Sequence, residues 1–356
     1  MLLVVIIVAA IVAVIMFVAA GRPLPVSTGA YCQTSCIGRN AFLMLPIERD
    51  AHGLPLIELW IGAQPVKAVL DSASCMLLVA GDECTSCDAK LGKYRRRDVE
   101  TETETKAEGG VATFGTQTDD WTECSDVVAV SGRCVRGLGD VASRRAVDDV
   151  TMYLGTCSFG VTAARRASAY AMDMPQSNYN VCGVGRCRGG LSFLGQLTDD
   201  RTFTFIHTPS RDSYVMLREA ALGASAVRVP LCGDDDVYAV ALHRATLGGV
   251  PLAGLPPRVL FDTGSNYLFA PDAVCSALEA QRGAVLRLEF VGENAATGEA
   301  AEVALALPAS SYAPAGHTYC APTYPTDDFL IVGTLLLTEP VAIAFSPDAL
   351  LMESLV

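Results

Sequence analysis

Two segments of the chain repeat one pattern about half the chain apart, and this repeat restricts the possible folds more than any other feature. VKAVLDSAS (66–74) and RVLFDTGS (258–265) each run from apolar residues into an Asp and then into small residues, most of them hydroxyl-bearing. An ionised Asp beside an apolar strand is costly unless it gains hydrogen bonds, a second acid that shares its proton, or a function. Two such loops indicate a duplicated lobe, with one Asp in each copy.

The residues after Asn40 form short apolar runs separated by Gly, Pro, Asp and Asn. Runs such as LPLIELWI, TFTFI, VYAVAL and VAIAF show little helical periodicity, which is typical of β-strands. Residues 271–283, PDAVCSALEAQRG, give the clearest helix signal because Pro and Asp begin the segment and Gly ends it. The sequence therefore predicts an all-β protein with a few short helices.

The N-terminal segment resembles a membrane span. Residues 2–20 are apolar throughout and contain no charge, Pro or Gly. A helix of this length, rising about 1.5 Å per residue, nearly crosses a hydrocarbon core of about 30 Å. We expect residues 1–21 to form an uncleaved transmembrane helix, followed by a stalk over residues 22–39. The alternative is a cleaved signal peptide, for which VAA (18–20) would serve as the cleavage site although a basic start is missing.

The 13 cysteines indicate an oxidising compartment. They are spread through the chain, and several form close pairs, such as Cys84-x-x-Cys87. A zinc site at that pair would need a second pair or a His nearby, and no His is close in the sequence. Disulfides are the better interpretation. They favour a single-pass membrane protein with a lumenal or extracellular body, or a secreted protein if the N-terminal segment is cleaved.

The charge balance restricts the possible partners. The formal net charge is −13, so the chain has no basic footprint for nucleic acid or for an anionic membrane surface. We therefore expect no nucleic-acid partner, and membrane contact only through the N-terminal helix.

The paired Asp loops and several further segments resemble the pepsin-like aspartic proteases, over nearly everything after residue 40. GGVATFGTQTDDW (109–121) resembles the flap hairpin of this family. VCGVGRCRGGLSFLGQL (181–197) resembles the plant nepenthesin-like and xylanase-inhibitor branch in particular. The resemblance implies a bilobal fold, with the first Asp loop and the flap in an N-terminal lobe (40–212) and the second Asp loop in a C-terminal lobe (213–356).

The resemblance also implies a reaction. Asp71 and Asp262 would face each other across the cleft and share one proton, because like charges that close cannot both ionise. The ionised partner would take a proton from a water that attacks the scissile carbonyl of a polypeptide bound extended between the lobes. The implied function is an aspartic endopeptidase that works in acid as a monomer, without a metal or organic cofactor.

Five positions around the two acids match supporting positions of the family. The hydroxyls of Ser72 and Thr263 match a pair that ties the two loops together by hydrogen bonds. Those of Ser74 and Ser265 match hydroxyls that bond the outer carboxylate oxygens. Gly264 matches a glycine that keeps the backbone close to the acids.

Three departures from the family pattern leave an alternative open. Ala73 stands where the first loop usually has Gly, Phe114 (followed by Gly115) stands where the flap Tyr is expected, and Leu78 replaces the Trp that partners that Tyr. A methyl group at Ala73 would crowd the acids or force a backbone conformation unfavourable for Ala. The alternative function is a catalytically inactive binding or inhibitor protein of the xylanase-inhibitor kind. The complete second Asp loop is evidence against this alternative, because inactive relatives of that kind tend to lose it.

Three specific pairings are expected among five or six disulfides. The family often carries a small bridge just after the first Asp loop, and this implies Cys84–Cys87 or an exchange with a near neighbour. A family bridge in the second lobe implies Cys275–Cys320. We also expect Cys182–Cys187.

Overall fold

The protein consists mainly of β-strands. The structure, a computed structural model, describes residues 42–50, 53–96, 109–114, 117–135, 149–167, 178–187, 192–197, 201–207, 213–217, 222–233, 236–265, 268–308, 320–322, 329–334 and 341–354. The expected all-β class is confirmed within these residues. The predicted transmembrane segment and stalk lie outside them. Among the described helices, none is long and apolar enough to cross a membrane.

The first half of the chain contains ten strands, one short α-helix and a single turn of 3-10 helix among the described residues. The helices are α1 (Phe193–Leu197) and the 3-10 turn Ala89–Leu91. The strands are β1 (Phe42–Arg49), β2 (Pro55–Ile61), β3 (Gln64–Asp71), β4 (Leu77–Ala80), β5 (Gly109–Phe114), β6 (Gln117–Val135), β7 (Asp149–Ala167), β8 (Val181–Gly183), β9 (Phe203–His207) and β10 (Ser213–Leu217).

The second half contains twelve strands and one α-helix among the described residues. The helix predicted from PDAVCSALEAQRG is present as α2 (Asp272–Ala280). The strands are β11 (Val227–Pro230), β12 (Ala239–Ala241), β13 (Arg244–Leu247), β14 (Val250–Pro251), β15 (Arg258–Asp262), β16 (Leu268–Ala270), β17 (Leu286–Asn294), β18 (Ala300–Leu307), β19 (Cys320–Pro322), β20 (Phe329–Gly333), β21 (Val341–Phe345) and β22 (Ala349–Ser354).

The strands that carry the two aspartates repeat one arrangement. In the first half, β8 lies between β3, to which it is parallel, and β4, to which it is antiparallel, and β4 also pairs parallel with β7. In the second half, β20 lies between β15 and β16 in the same orientations, and β16 pairs parallel with β19. Asp71 ends β3 opposite Gly183, and Asp262 ends β15 opposite Gly333. The sequence repeat therefore corresponds to a repeat in topology.

An antiparallel ladder joins the two halves. Its strand order is β1–β10–β9–β21–β22–β11. Within this ladder the halves meet at the β9–β21 pair, in which Phe203 lies opposite Phe345 and His207 lies opposite Val341. Because these strands share backbone hydrogen bonds, the two halves form one continuous sheet here.

Three aromatic side chains pack together beside this ladder. The rings of Phe203 and Phe345 stack with centroids 4.5 Å apart, and Tyr238 meets Phe345 edge-on at 5.0 Å. Such pairs each contribute about 0.5–1.5 kcal/mol beyond the burial of their area. All three side chains are fully buried. The Tyr238 hydroxyl donates to the Val184 carbonyl at 3.2 Å, directly beside the first Asp loop.

Two of the three expected pairings are confirmed. Cys84–Cys87 and Cys275–Cys320 are bridged, with Cα–Cα distances of 5.4 and 5.5 Å. The expected Cys182–Cys187 bridge is wrong, because Cys187 pairs with Cys75 and Cys182 is a free thiol. Cys182 lies inside β8 and is buried against the core, whereas Cys187 follows the end of that strand. Burial, and secondarily the charge of Asp71, raises the pKa of the Cys182 thiol.

Candidate active site

The two predicted aspartates meet at the ends of two buried strands. The residue before each acid, Leu70 or Phe261, is buried, so each strand carries its Asp directly out of the core. The Asp71 side chain is buried and that of Asp262 is partly exposed. Their carboxyl groups are close enough for each to affect the pKa of the other. The structure thus brings together two acids that lie about half the chain apart in sequence.

A reciprocal exchange of hydrogen bonds holds the two loops together. The backbone N–H of Ser72 donates to Thr263 Oγ1 at 3.0 Å, and the N–H of Thr263 donates to Ser72 Oγ at 2.9 Å. Each hydroxyl then donates across to the opposite strand, Ser72 to the Phe261 carbonyl at 2.7 Å and Thr263 to the Leu70 carbonyl at 2.8 Å. Both side chains are buried. Every donor and acceptor of the exchange is therefore paired away from water.

Asp71 accepts hydrogen bonds from a backbone N–H and from a hydroxyl of its own loop. Its Oδ1 accepts from the Ala73 N–H at 2.8 Å, and its Oδ2 accepts from the Ser74 hydroxyl at 2.6 Å. Asp262 Oδ1 accepts from the Gly264 N–H at 2.9 Å, and the Ser265 N–H also stabilises this carboxylate. The donor set around Asp71 thus includes a hydroxyl in a position suited to an ionised carboxylate.

The two acids have different tendencies to ionise. Burial raises the pKa of Asp71, but hydrogen bonds from Ser74 and Ala73 oppose that shift. Burial raises the pKa of Asp262 well above its ordinary value, and the charge of Asp71 raises it further. Because a shared site favours one charge over two, the pair holds a single proton, and these directions favour Asp71 as the ionised member.

Gly264 is required by its contact with the first acid. A Cβ atom built at this position would lie 2.5 Å from Cγ of Asp71, a distance at which the loops would have to move apart. The corresponding residue of the first loop is Ala73, which already carries a methyl group. Among the described residues, the one non-glycine residue with a positive φ is Arg201. The backbone of Ala73 is therefore not in the left-handed region, and the expected backbone strain is not found there.

The first Asp loop is braced by the segment after β8. The Val184 N–H donates to the Asp71 carbonyl at 2.8 Å, and the Gly185 N–H donates to the Ser74 carbonyl at 2.7 Å. The Cys75–Cys187 disulfide closes the same contact covalently. Sequence reasoning missed this bridge, although the position of Cys75 immediately after the DSAS loop was a signal for it.

The second Asp loop is braced in a similar way and has a small cavity beside it. The Thr334 N–H donates to the Ser265 carbonyl at 2.9 Å. A cavity of about 10 Å³ lies against Asp262, Thr263 and Thr334 and is otherwise walled by apolar side chains. Its volume is enough for a single water molecule. The cavity is too small to hold a substrate group.

The hairpin compared with a flap is formed by β5 and the start of β6, with Phe114 paired to Gln117. Gly115 lies outside the described residues, and only the backbone of Phe114 is described. Leu78 is fully buried in β4, where it pairs with Gly160 and Val181, so the structure places it in the interior.

An aromatic residue that sequence reasoning did not single out supports this hairpin. A Cβ built on Gly160 would lie 2.6 Å from Cδ1 of Leu78 and 3.1 Å from Cε3 of Trp121, so these two side chains meet over the glycine. A Cβ built on Gly110, in β5, would lie 3.5 Å from the Trp121 ring. Trp121 therefore connects the hairpin to the interior, and the glycines that leave room for its ring were the available signal in the sequence.

The side chains near the acids do not suggest a metal centre. Within the described ranges, no group of three or more His, Cys, Asp or Glu side chains is arranged to hold a metal ion.

The chain matches no protein-family model and no curated protein. The geometry of the two acids and of the loops that hold them is therefore what indicates a function.

Proposed function

We propose that the protein is an aspartic endopeptidase of the pepsin-like type, with Asp71 and Asp262 as its catalytic pair. One observation carries the proposal: two carboxyl groups from repeated loops lie close enough to affect each other's pKa, held by the exchange between Ser72 and Thr263. Two acids arranged in this way share a single proton, and a pair in that state supplies a general base and a general acid together.

The proposal includes a bilobal fold, with lobes at 40–212 and 213–356. The repeated arrangement of β3, β4 and β8 in β15, β16 and β20 supports it. A polypeptide would bind extended between the lobes, beneath the β5–β6 hairpin. We further propose a monomer whose body lies in the lumen or outside the cell, attached through the N-terminal segment or secreted after its cleavage.

The reaction would proceed through a water held between the acids. Asp71 takes a proton from the water, whose oxygen attacks the scissile carbonyl carbon while Asp262 gives its proton to the carbonyl oxygen. In the resulting gem-diol, the protonated Asp71 gives its proton to the amide nitrogen and the C–N bond breaks. One hydroxyl of the gem-diol returns a proton to Asp262, which restores the starting state. Atoms and charges balance without a metal or cofactor.

A second candidate is a catalytically inactive pepsin-like protein that binds a macromolecule. The observation that favours it is Ala73. The second loop places Gly264 so close to Asp71 that a Cβ there would overlap the carboxyl group, yet the first loop carries a methyl group at the corresponding position. A methyl group beside Asp262 would narrow the space for the attacking water.

One experiment separates the two candidates. The full-length protein is incubated with a denatured protein substrate from about pH 3 to about pH 7, with and without a statine-type inhibitor. We expect hydrolysis in acid that the inhibitor suppresses and that Asp71→Asn and Asp262→Asn each abolish, because an amide can neither share the proton nor activate water. Asp236→Asn, an exposed carboxyl, is the control. A folded wild type that is inert at every pH would favour the binding protein.

A further inference from the structure

A buried ion pair lies at the base of the β5–β6 hairpin. Asp119 in β6 and Arg165 in β7 stand opposite each other, and their side chains are 0% and 1% exposed. The guanidinium binds the carboxylate through two bonds, Nε to Oδ1 at 2.8 Å and Nη2 to Oδ2 at 2.9 Å. Burying such a pair carries a desolvation cost that its attraction does not necessarily recover. Stability alone is therefore a weak reason for its presence.

Further polar side chains complete a connected network, which we name the anchor cluster. Asp119 Oδ2 also accepts from Gln117 Nε2 and from the Thr162 hydroxyl, both at 3.0 Å. Arg165 Nη1 donates to Asn178 Oδ1 at 2.9 Å. The carboxylate of Asp119 thus accepts four hydrogen bonds from three side chains. A satisfied network of this kind holds its members in a single arrangement.

Gln117 connects the anchor cluster to the paired ends of β5 and β6. It is the first residue of β6, it pairs with Phe114 at the last described position of β5, and it is 1% exposed. Its Nε2 donates to the Tyr179 carbonyl at 3.0 Å, and its Oε1 accepts from the Tyr179 N–H at 3.0 Å. The side-chain amide therefore binds the backbone of Tyr179 as a neighbouring strand would.

The segment bound by Gln117 leads directly to the first acid. Asn180 follows Tyr179, its carbonyl accepts from the Val69 N–H at 2.9 Å, and its Oδ1 accepts from the Ala80 N–H at 2.7 Å. Strand β8 begins at the next residue and ends at Gly183, which lies opposite Asp71. Residues 178–183 thus contact the first residue of β6 at one end and the Asp71 loop at the other.

We propose that Gln117, oriented by the Asp119–Arg165 pair, is a positioning residue that fixes the paired ends of β5 and β6 relative to Asp71. The inference rests on the proposed peptidase function for its effect on substrate. A hairpin already held in place loses less conformational entropy when an extended polypeptide binds beneath it. Gln117 therefore acts on the affinity for substrate and not on the proton transfers.

The test compares Gln117→Met with Asp120→Asn in the full-length protein. Met keeps the length of Gln but removes its three hydrogen bonds. Asp120 forms an ion pair with Arg166 at 2.5 Å in the same two strands, but both side chains are largely exposed, so it is the matched control. We expect Gln117→Met to raise KM and the inhibitor Kd about tenfold, since each lost bond is worth a few-fold in an equilibrium constant. The pH profile of kcat should be unchanged, and Asp120→Asn should resemble the wild type.

Hydrogen exchange supplies a readout that needs no catalysis. In Gln117→Met the amides of residues 109–114 and 117–122 should exchange faster than in the wild type, whereas the amides of β15 should not change. Arg165→Lys keeps the charge but loses the bidentate geometry. It should accelerate exchange in the same residues, and it tests the inference if Gln117→Met does not fold.

The outcomes separate the inference from the proposed function. An active, folded Gln117→Met with wild-type KM, inhibitor Kd and exchange would overturn the inference and leave the peptidase intact. A wild type inert at every pH would overturn the peptidase. In that case faster exchange in the hairpin of Gln117→Met would still support the positioning role, and unchanged exchange would overturn it.

Discussion

At the scale of single residues, two hydroxyls explain how two acids come so close. Ser72 and Thr263 each accept from the backbone of the opposite loop and donate to the strand before the opposite acid. Removal of either hydroxyl would leave buried backbone groups unpaired, at about 1–3 kcal/mol for each group. These bonds offset the unfavourable proximity of the acids, and the proton shared by the pair removes most of the remaining repulsion.

The raised pKa of Asp262 leads to a prediction that does not depend on catalysis. Folded protein keeps a proton on Asp262 that the unfolded chain releases above an ordinary Asp pKa of about 4. The free energy of unfolding should therefore fall with rising pH, by up to about 1.4 kcal/mol per pH unit, until the folded pKa is passed. Asp262→Asn has no such proton. Urea denaturation should show its stability rising relative to wild type between about pH 4 and about pH 7.

Asp236→Asn is the control for this measurement, because Asp236 is exposed and distant in sequence from both acid loops. If the difference between Asp262→Asn and the wild type depended on pH no more than that of Asp236→Asn, Asp262 would not hold a proton in the folded protein. The assignment of Asp71 as the ionised member would then be wrong.

At the scale of elements, the sequence predicted whether a segment is a strand or a helix better than it predicted which strands pair. The apolar runs before both acids are strands, and the segment with Pro-Asp at its start and Gly at its end is a helix, because periodicity and caps are local signals. Strand pairing is not local. No local feature of the sequence around β8 and β20 indicates that each of these strands lies between two strands of its own half.

Cysteine pairing shows the same limit. The five-residue spacing suggested Cys182–Cys187, but Cys182 is inside a buried strand and Cys187 is beyond it. The true partner, Cys75, becomes a neighbour only when the Asp71 loop packs against the segment after β8. Ala73 is a related case. Its departure from the glycine of the family pattern suggested backbone strain, and only the backbone angles could test that expectation.

Two disulfides should differ in their contribution to stability because they close loops of different length. Cys75–Cys187 spans 112 residues, whereas Cys84–Cys87 spans 3. A bridge across about 100 residues is worth about 4.7 kcal/mol in the loop-entropy model, and a very short loop is worth much less. Under non-reducing conditions, chemical denaturation should show a loss of about 2–5 kcal/mol for Cys75→Ala with Cys187→Ala. The matched double variant, Cys84→Ala with Cys87→Ala, should lose less, and equal losses would contradict this account.

At the scale of the whole molecule, the candidate site and the junction between the halves are one structure. Each half supplies one acid, and each loop satisfies backbone groups of the other. The ladder joins the halves through the β9–β21 pair, with the Phe203–Phe345 stack beside it. A change that separates the halves would therefore also separate the acids, so the site depends on the integrity of the entire fold.

This coupling predicts that both halves unfold together. The chain has 2 Trp residues, Trp60 in β2 and Trp121 in β6, so tryptophan fluorescence reports on the first half alone. Far-UV circular dichroism reports on the strands of both halves. In urea the two signals should share one midpoint, the test of a cooperative transition.

Phe345→Ala gives a control for this measurement, since it removes a ring from the cluster between the halves. It should lower both midpoints together, because truncation of a buried Phe costs about 3–5 kcal/mol. A second circular-dichroism transition without a fluorescence change would mean that the second half unfolds independently. The β9–β21 pair and the exchange between the Asp loops would then be too weak to couple the halves, and the acids would separate before the first half unfolds.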